Sequence, residues 1–285
     1  MEPDTKDALV GGGGFSASSA SSPPHVPYTG TPKILLLGDS LTQQGSANPS
    51  LEDGKGFGWA ALLQNLYIRR ADVLNRGLSG WTSRWARRYV SRILNCDLRA
   101  DEQFLFATVW LGANDAWLKE ADKSGRYSVT ADEYEENMTD IVSQVLARTP
   151  VLFILAPSPI AENARKAFAQ AMYGEQVCDR INAHTSLYRD AVKRVAEKAQ
   201  KQPGKKVVFM DLFELFYEQR EQLLPDGLHF GNEAHRMLYD ALEKMLHAEG
   251  LGIEITDKRK GAGSSLAISK LLPSLPWHDD AAALP

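Results

Sequence analysis

Four short segments of this chain carry side chains that could do covalent chemistry. Ser40 stands in Gly38-Asp39-Ser40-Leu41-Thr42, directly after a run of apolar residues. A serine held in a tight turn beyond a buried strand can act as a nucleophile, and Asp39 or Ser40 equally suits the cap of a following helix. Asp226 and His229 lie three residues apart in Leu224-Pro225-Asp226-Gly227-Leu228-His229-Phe230. That spacing lets a carboxylate accept from one imidazole nitrogen while the other nitrogen faces a site. Two turns between them are rich in donors. In Asn75-Arg76-Gly77-Leu78-Ser79-Gly80 the backbone can approach a ligand closely, and Gly80 offers a bare N–H. In Leu111-Gly112-Ala113-Asn114-Asp115, Asn114 offers two amide donors without charge, which is the equipment of an oxyanion hole and also of a helix cap. Each signal is weak alone. Together, with the N–H of Ser40, they supply a nucleophile, a base, an orienter and three oxyanion donors, in the order Ser, Asp, His.

The elements that must hold these turns are legible around them. Apolar runs recur at residues 34–37, 72–74, 104–111, 151–155 and 207–210. The longer ones are continuous rather than alternating, as strands covered on both faces are. Helical stripes lie between them: Trp59, Leu62, Leu63, Leu66 and Tyr67; then Tyr134, Met138, Ile141, Val142 and Val145; then a long segment over 176–200; then Ala234, Met237, Leu238, Ala241, Leu242 and Met245. Strand–helix alternation predicts an α/β domain with a five-stranded parallel sheet and helices on both faces. Ligands of such sheets bind beyond the carboxyl ends of the strands, where all four chemical turns fall.

Composition narrows the classes without choosing one. The 285 residues are 44% hydrophobic and 24% charged, with a net charge of −4, so no global field invites nucleic acid. No apolar run approaches the roughly 20 residues of a membrane helix. Two cysteines make no disulfide framework; Cys96 and Cys178 are expected as free thiols in a reducing compartment, the cytoplasm. No His/Cys cluster has zinc spacing, and no metal or organic cofactor is expected. Residues 1–31, rich in Gly, Ser and Pro, predict a disordered tail that lacks the features of a secretory signal. A domain over 32–255 and an extension over 256–285, partly packed on the domain, complete the expected organisation.

The ordered blocks resemble those of the SGNH (GDSL) hydrolases: Gly38-Asp39-Ser40-Leu41, Gly80, Gly112-Ala113-Asn114-Asp115 and Asp226-Gly227-Leu228-His229. Gly56-Phe57-Gly58-Trp59, Gly80-Trp81-Thr82-Ser83-Arg84-Trp85 and Phe230 after the histidine resemble the isoamyl acetate-hydrolysing esterases among them. The resemblance covers about residues 33–250 and implies a three-layer α/β/α, flavodoxin-like topology. It also implies a serine esterase acting on short-chain, acetate-type esters through an acyl-enzyme. Ser40, Asp226 and His229 would then be catalytic, and Ser40, Gly80 and Asn114 would form the oxyanion hole. The expected partner is a small ester, with no nucleic acid. The same machinery would also serve a carbohydrate O-acetylesterase, a lysophospholipase or a thioesterase. A non-catalytic binding or interaction protein is the reading from another class, but no Gly-x-Gly-x-x-Gly follows the first strand to cradle a dinucleotide. Residues 156–173 depart from the pattern of the resemblance.

The remaining candidates have ordinary expectations. Asp39 and Asp115 cap or brace loops. His184, His235 and His247 take surface or packing roles on helices. Arg84, Arg87 and Arg88 form a solvated helix face. Trp81, Trp85 and Trp110 are expected in the core, with Trp81 also placed to line an acyl site.

Overall fold

Leucine and isoleucine at successive positions of the first apolar run can be buried only if both sides of the strand are covered. In the computed structural model, which describes residues 30–46, 56–174 and 178–253, they are. Strand β1 (Lys33–Gly38) turns Ile34 and Leu36 to one face of a sheet and Leu35 and Leu37 to the other. Full burial of such a side chain stabilises by roughly 1.5–3 kcal/mol. Four further strands, β2 (Asp72–Gly77), β3 (Phe106–Trp110), β4 (Val151–Leu155) and β5 (Lys206–Met210), complete a five-stranded sheet in the order β2-β1-β3-β4-β5. Every pairing is parallel.

Helices cover both faces. On one side α2 (Trp59–Leu66) and α9 (Asn232–Ala248) pack Trp59, Leu63, Leu238 and Leu242 on Phe106, Trp110 and Phe153. On the other, α3 (Ser83–Asp97), α4 (Ala131–Leu146) and α6 (Asn182–Ala199) pack Val90, Ile141, Val145 and Val192 on Val109, Leu152 and Ile154. This is the expected three-layer α/β/α arrangement with flavodoxin-like strand order. The order reverses at β1, between β2 and β3, and a crevice opens at such a switch point. Short helices follow two strands: α1 (Ser40–Gln43) after β1, and α7 (Leu212–Tyr217) then α8 (Arg220–Leu223) after β5.

Three local expectations change. The helix expected over 176–200 begins only at Asn182, because Asp179 and Arg180 are drawn into long-range ion pairs and hydrogen bonds instead. A helix not expected, α5 (Glu162–Tyr173), occupies the departing segment and ends at Gly174 with φ +68°. Trp85 lies on the outer face of α3, 40% exposed, rather than in the core. The arginine face of α3 is exposed as expected, and two of its members reach α4, Arg84 to Glu133 and Arg87 to Asp140. Nearly all of the tail over 1–31, and the whole extension over 256–285, lie outside the described residues. No helix among those described is long and apolar enough to cross a membrane.

Candidate active site

The turn after β1 is built from its own side chains. Asp39 caps α1 by accepting from the Leu41 N–H at 3.0 Å, which sets Ser40 at the first helical position with its side chain almost buried. The loop between α8 and α9 is tightened by Asp226, whose Oδ1 accepts from the N–H groups of Leu228 (2.9 Å) and His229 (2.7 Å). Such an Asx-type turn aims the imidazole without help from a regular element. Gly227 makes the turn possible: its φ is +83°, and a Cβ there would stand 2.3 Å from the Arg165 N.

Together these turns produce a hydrogen-bonded line. Asp226 Oδ2 lies 2.7 Å from His229 Nδ1, and His229 Nε2 lies 3.0 Å from Ser40 Oγ. The side chains of His229 and Asp226 are 21% and 22% exposed, so the line is open to a small molecule. Burial pushes the Asp226 carboxyl up. The hydrogen bond from His229, the charge of His229 and the two backbone N–H groups outweigh burial and hold it at about 2. The carboxylate is therefore charged at any ordinary pH.

Gly80 and Asn114 come to the same crevice. Gly38 is in register with Gly77 on one side and Trp110 on the other, so the turns after β2 and β3 flank the turn after β1. Asn75 Nδ2 donates to Thr42 O (2.7 Å), and Gln43 Oε1 accepts from Ser79 N (2.8 Å), tying the Gly80 turn to the Ser40 turn. Asn114 Nδ2 donates to Trp81 O at 2.9 Å, which leaves one of its two hydrogens for another acceptor. Gly80 has φ +78°, and the Tyr127 ring lies 3.7 Å from where its Cβ would be. Tyr127 stacks on Trp117 with ring centroids 4.7 Å apart.

Beneath these groups lies a set of buried charges that sequence reasoning did not single out. Arg180 donates from Nε to Ala113 O (2.6 Å), from Nη2 to Asn114 Oδ1 (3.1 Å) and from Nη1 to Asp179 Oδ2 (2.8 Å). Arg165 pairs with Asp179 through two bonds of 2.8 and 2.6 Å, and its Nη1 lies 3.8 Å from Asp226 Oδ2. Asp-Arg at the foot of a helical stripe is the only local trace of this set. Its contacts span up to 67 residues and leave no periodic signature.

Asp39 and Asp115 brace loops, as expected. Asp115 accepts from the N–H (2.9 Å) and the hydroxyl (2.6 Å) of Ser83, and Asn137 donates to that hydroxyl. Burial pushes Asp39 up to about 6, against the Leu41 N–H and the charges of His229 and Arg180. Burial also pushes Asp115 up to about 7, against the Ser83 bonds and with the Asp39 charge adding to it. Both groups bind protons more tightly folded than unfolded. They favour the folded state below about pH 4, and that contribution is lost as the pH climbs through the two raised values. The difference in thermal midpoint between Asp115→Asn and the parent chain is therefore expected to move in the variant's favour from about pH 4 to 8. A constant difference across that range would mean that Asp115 does not titrate there. Among the described residues, no three His, Cys, Asp or Glu side chains gather as a metal site would require. His235 is buried in packing, with its Nδ1 facing the Trp59 N–H at 3.4 Å.

A serine, a histidine and an aspartate in line at the carboxyl edge of a doubly wound sheet have the geometry of an α/β serine hydrolase. Comparison with known proteins gives the family. A family profile described as GDSL-like lipase/acylhydrolase matches residues 34–242. A GDSL esterase/lipase of Arabidopsis thaliana is 33% identical over 228 residues, covering 78% of this chain and 88% of its own. The isoamyl acetate-hydrolyzing esterase of Saccharomyces cerevisiae is 31% identical over 221 residues, covering 75% and 85%. Among solved structures, an acetylxylan esterase of Geobacillus stearothermophilus matches with a TM-score of 0.54 at 22% identity, over 75% of this chain and 93% of its own. The chain belongs to the GDSL-like lipase/acylhydrolase family, and it is a carboxylic ester hydrolase.

Proposed function

We propose that the protein is a serine esterase for short-chain, acetate-type esters. The observation that carries this reading is the unbroken line from Asp226 through His229 to the Ser40 hydroxyl. In the proposed cycle Ser40 Oγ attacks the ester carbonyl while His229 Nε2 takes its proton. Asp226 holds the proton on Nδ1 and stabilises the imidazolium. The tetrahedral oxygen accepts from the Ser40 N–H, the Gly80 N–H and the remaining Asn114 amide hydrogen. His229 then protonates the departing alcohol, and water releases the acid from the acyl-enzyme by the same route.

The acetate preference is supported by 31% identity to the isoamyl acetate-hydrolyzing esterase of yeast and 30% identity to a human protein described as an isoamyl acetate-hydrolyzing esterase 1 homolog. A panel of nitrophenyl esters of increasing acyl length tests it. Highest kcat/KM at acetate is expected, whereas a preference for long chains, for acetylated sugars or for thioesters would replace the reading. The small ester is the only partner that this reading requires. We take 32–255 as the catalytic domain and the cytoplasm as its place of action, in line with the unpaired thiols of Cys96 and Cys178.

Asn114→Ala removes one oxyanion donor. It is expected to lower kcat by roughly 10²–10³ with a smaller change in KM. Steady-state kinetics on the preferred ester reads this, and a change confined to KM would assign Asn114 to binding or capping.

A further inference from the structure

Arg180 is 1% exposed, Arg165 3% and Asp179 4%. A guanidinium taken this far from water is costly unless its donors are satisfied, and a hydrophobic residue would usually cost less at such a place. Its pattern of bonds shows what the charge holds. Arg180 has donors only, so whatever faces it must accept. It faces Asn114 Oδ1 at 3.1 Å. Turning the Asn114 amide over would set Nδ2 against Nη2, donor against donor, and would take the amide hydrogens away from Trp81 O and from the crevice. A cation on the amide oxygen also polarises the group and strengthens its N–H as a donor. The same guanidinium lies 4.2 Å over the Trp117 ring, which stacks on the Tyr127 ring beside Gly80. Through Asp179 and Arg165 the chain of charges continues to within 3.8 Å of Asp226.

We propose that Arg180 is a positioning residue for the oxyanion donor Asn114, and that the series Asn114, Arg180, Asp179, Arg165 and Asp226, buried except at Asp226, fixes that donor and the carboxylate behind His229 to one frame. The inference rests on the proposed role of Asn114 in the esterase cycle. Arg180 touches no reacting atom; it acts by denying Asn114 its flipped rotamer and by polarising its amide.

The test is a double-mutant cycle on the full chain with a short-chain nitrophenyl ester. Arg180→Lys keeps the buried positive charge beside Asp179 but cannot present a planar fork to Asn114 and Ala113 at once. In the parent background it is expected to lower kcat tenfold or more, with KM changed less than about twofold. In the Asn114→Ala background, where there is no amide left to orient, the same substitution is expected to cost less than about threefold. An equal loss in both backgrounds would show that Arg180 acts by another route. Undiminished kcat in the parent background, or a loss carried by KM alone, would also overturn the proposal. Should Arg180→Lys not fold, Arg180→Gln serves in the same cycle, since Asp179 keeps both bonds from Arg165. Failure of the esterase reading itself would look different: the parent chain would show no turnover dependent on Ser40.

Discussion

Ser40→Ala is expected to abolish ester hydrolysis while leaving the fold standing. The substitution removes one oxygen, the atom 3.0 Å from His229 Nε2. It leaves the Ser40 N–H in place, and with it the cap that Asp39 makes to Leu41. The imidazole that loses its hydroxyl partner is partly exposed and can take water instead, so the stability change should be within about 1 kcal/mol. The kinetic change is of another order. Without the hydroxyl no acyl-enzyme can form, and residual turnover rests on oxyanion donors alone, on the order of a millionfold below the parent in kcat. Hydrolysis of a nitrophenyl acetate and thermal unfolding of the same preparation measure both quantities. A fluorophosphonate probe that labels the parent chain should leave the variant unlabelled. Turnover retained in a folded Ser40→Ala protein would remove Ser40 from the reaction.

Asp226→Asn is expected to cost about 10⁴ in kcat, again with little loss of structure. An asparagine keeps the carbonyl oxygen that can accept from the N–H groups of Leu228 and His229, so the turn that aims the imidazole survives. What changes is the group facing Nδ1. A carboxylate there accepts, and so the proton stays on Nδ1 and Nε2 is free to take one from Ser40. An amide nitrogen there donates, pushes the imidazole proton to Nε2 and leaves the base occupied. Against burial, the hydrogen bond and charge of His229, with the two backbone N–H groups, hold the Asp226 carboxyl down to about 2, so the folded site favours the charged carboxylate. Steady-state kinetics, with imidazole nitrogen shifts by NMR to report the tautomer, would check it. A loss below tenfold would mean that the ring is oriented by something other than Asp226.

Much of the sheet was legible because burial on both faces writes itself as continuous apolar runs. The runs at 151–155 and 207–210 correspond closely to β4 and β5. The run at 104–111 overstates β3, because Phe104 and Leu111 are buried by packing beyond the ends of the ladder. The turns carrying Ser40, Gly80, Asn114, Asp226 and His229 were legible for a different reason. Their chemistry is local, a capping aspartate or a glycine at positive φ, and local chemistry is visible in a few residues. Arg180 had neither advantage. It stands two residues before a helix, where a charged side chain reads as solvated surface. Its partners Ala113 and Asn114 are 67 and 66 residues away, and only the folded chain shows that they meet. Trp85 failed in the opposite direction: size alone suggested burial, but the inner face of α3 is filled by Ala86, Val90 and Leu94.

Ser40 and His229 are separated by 189 residues. The proposed nucleophile therefore stays without its proposed base until the domain between them has been made. On that proposal, a nascent chain that stops short of His229 would carry Ser40 without its base and would not hydrolyse the esters around it. Recovery of activity after dilution from denaturant should accordingly trail recovery of helix signal, because it waits for the loop of His229 to close on the turn of Ser40.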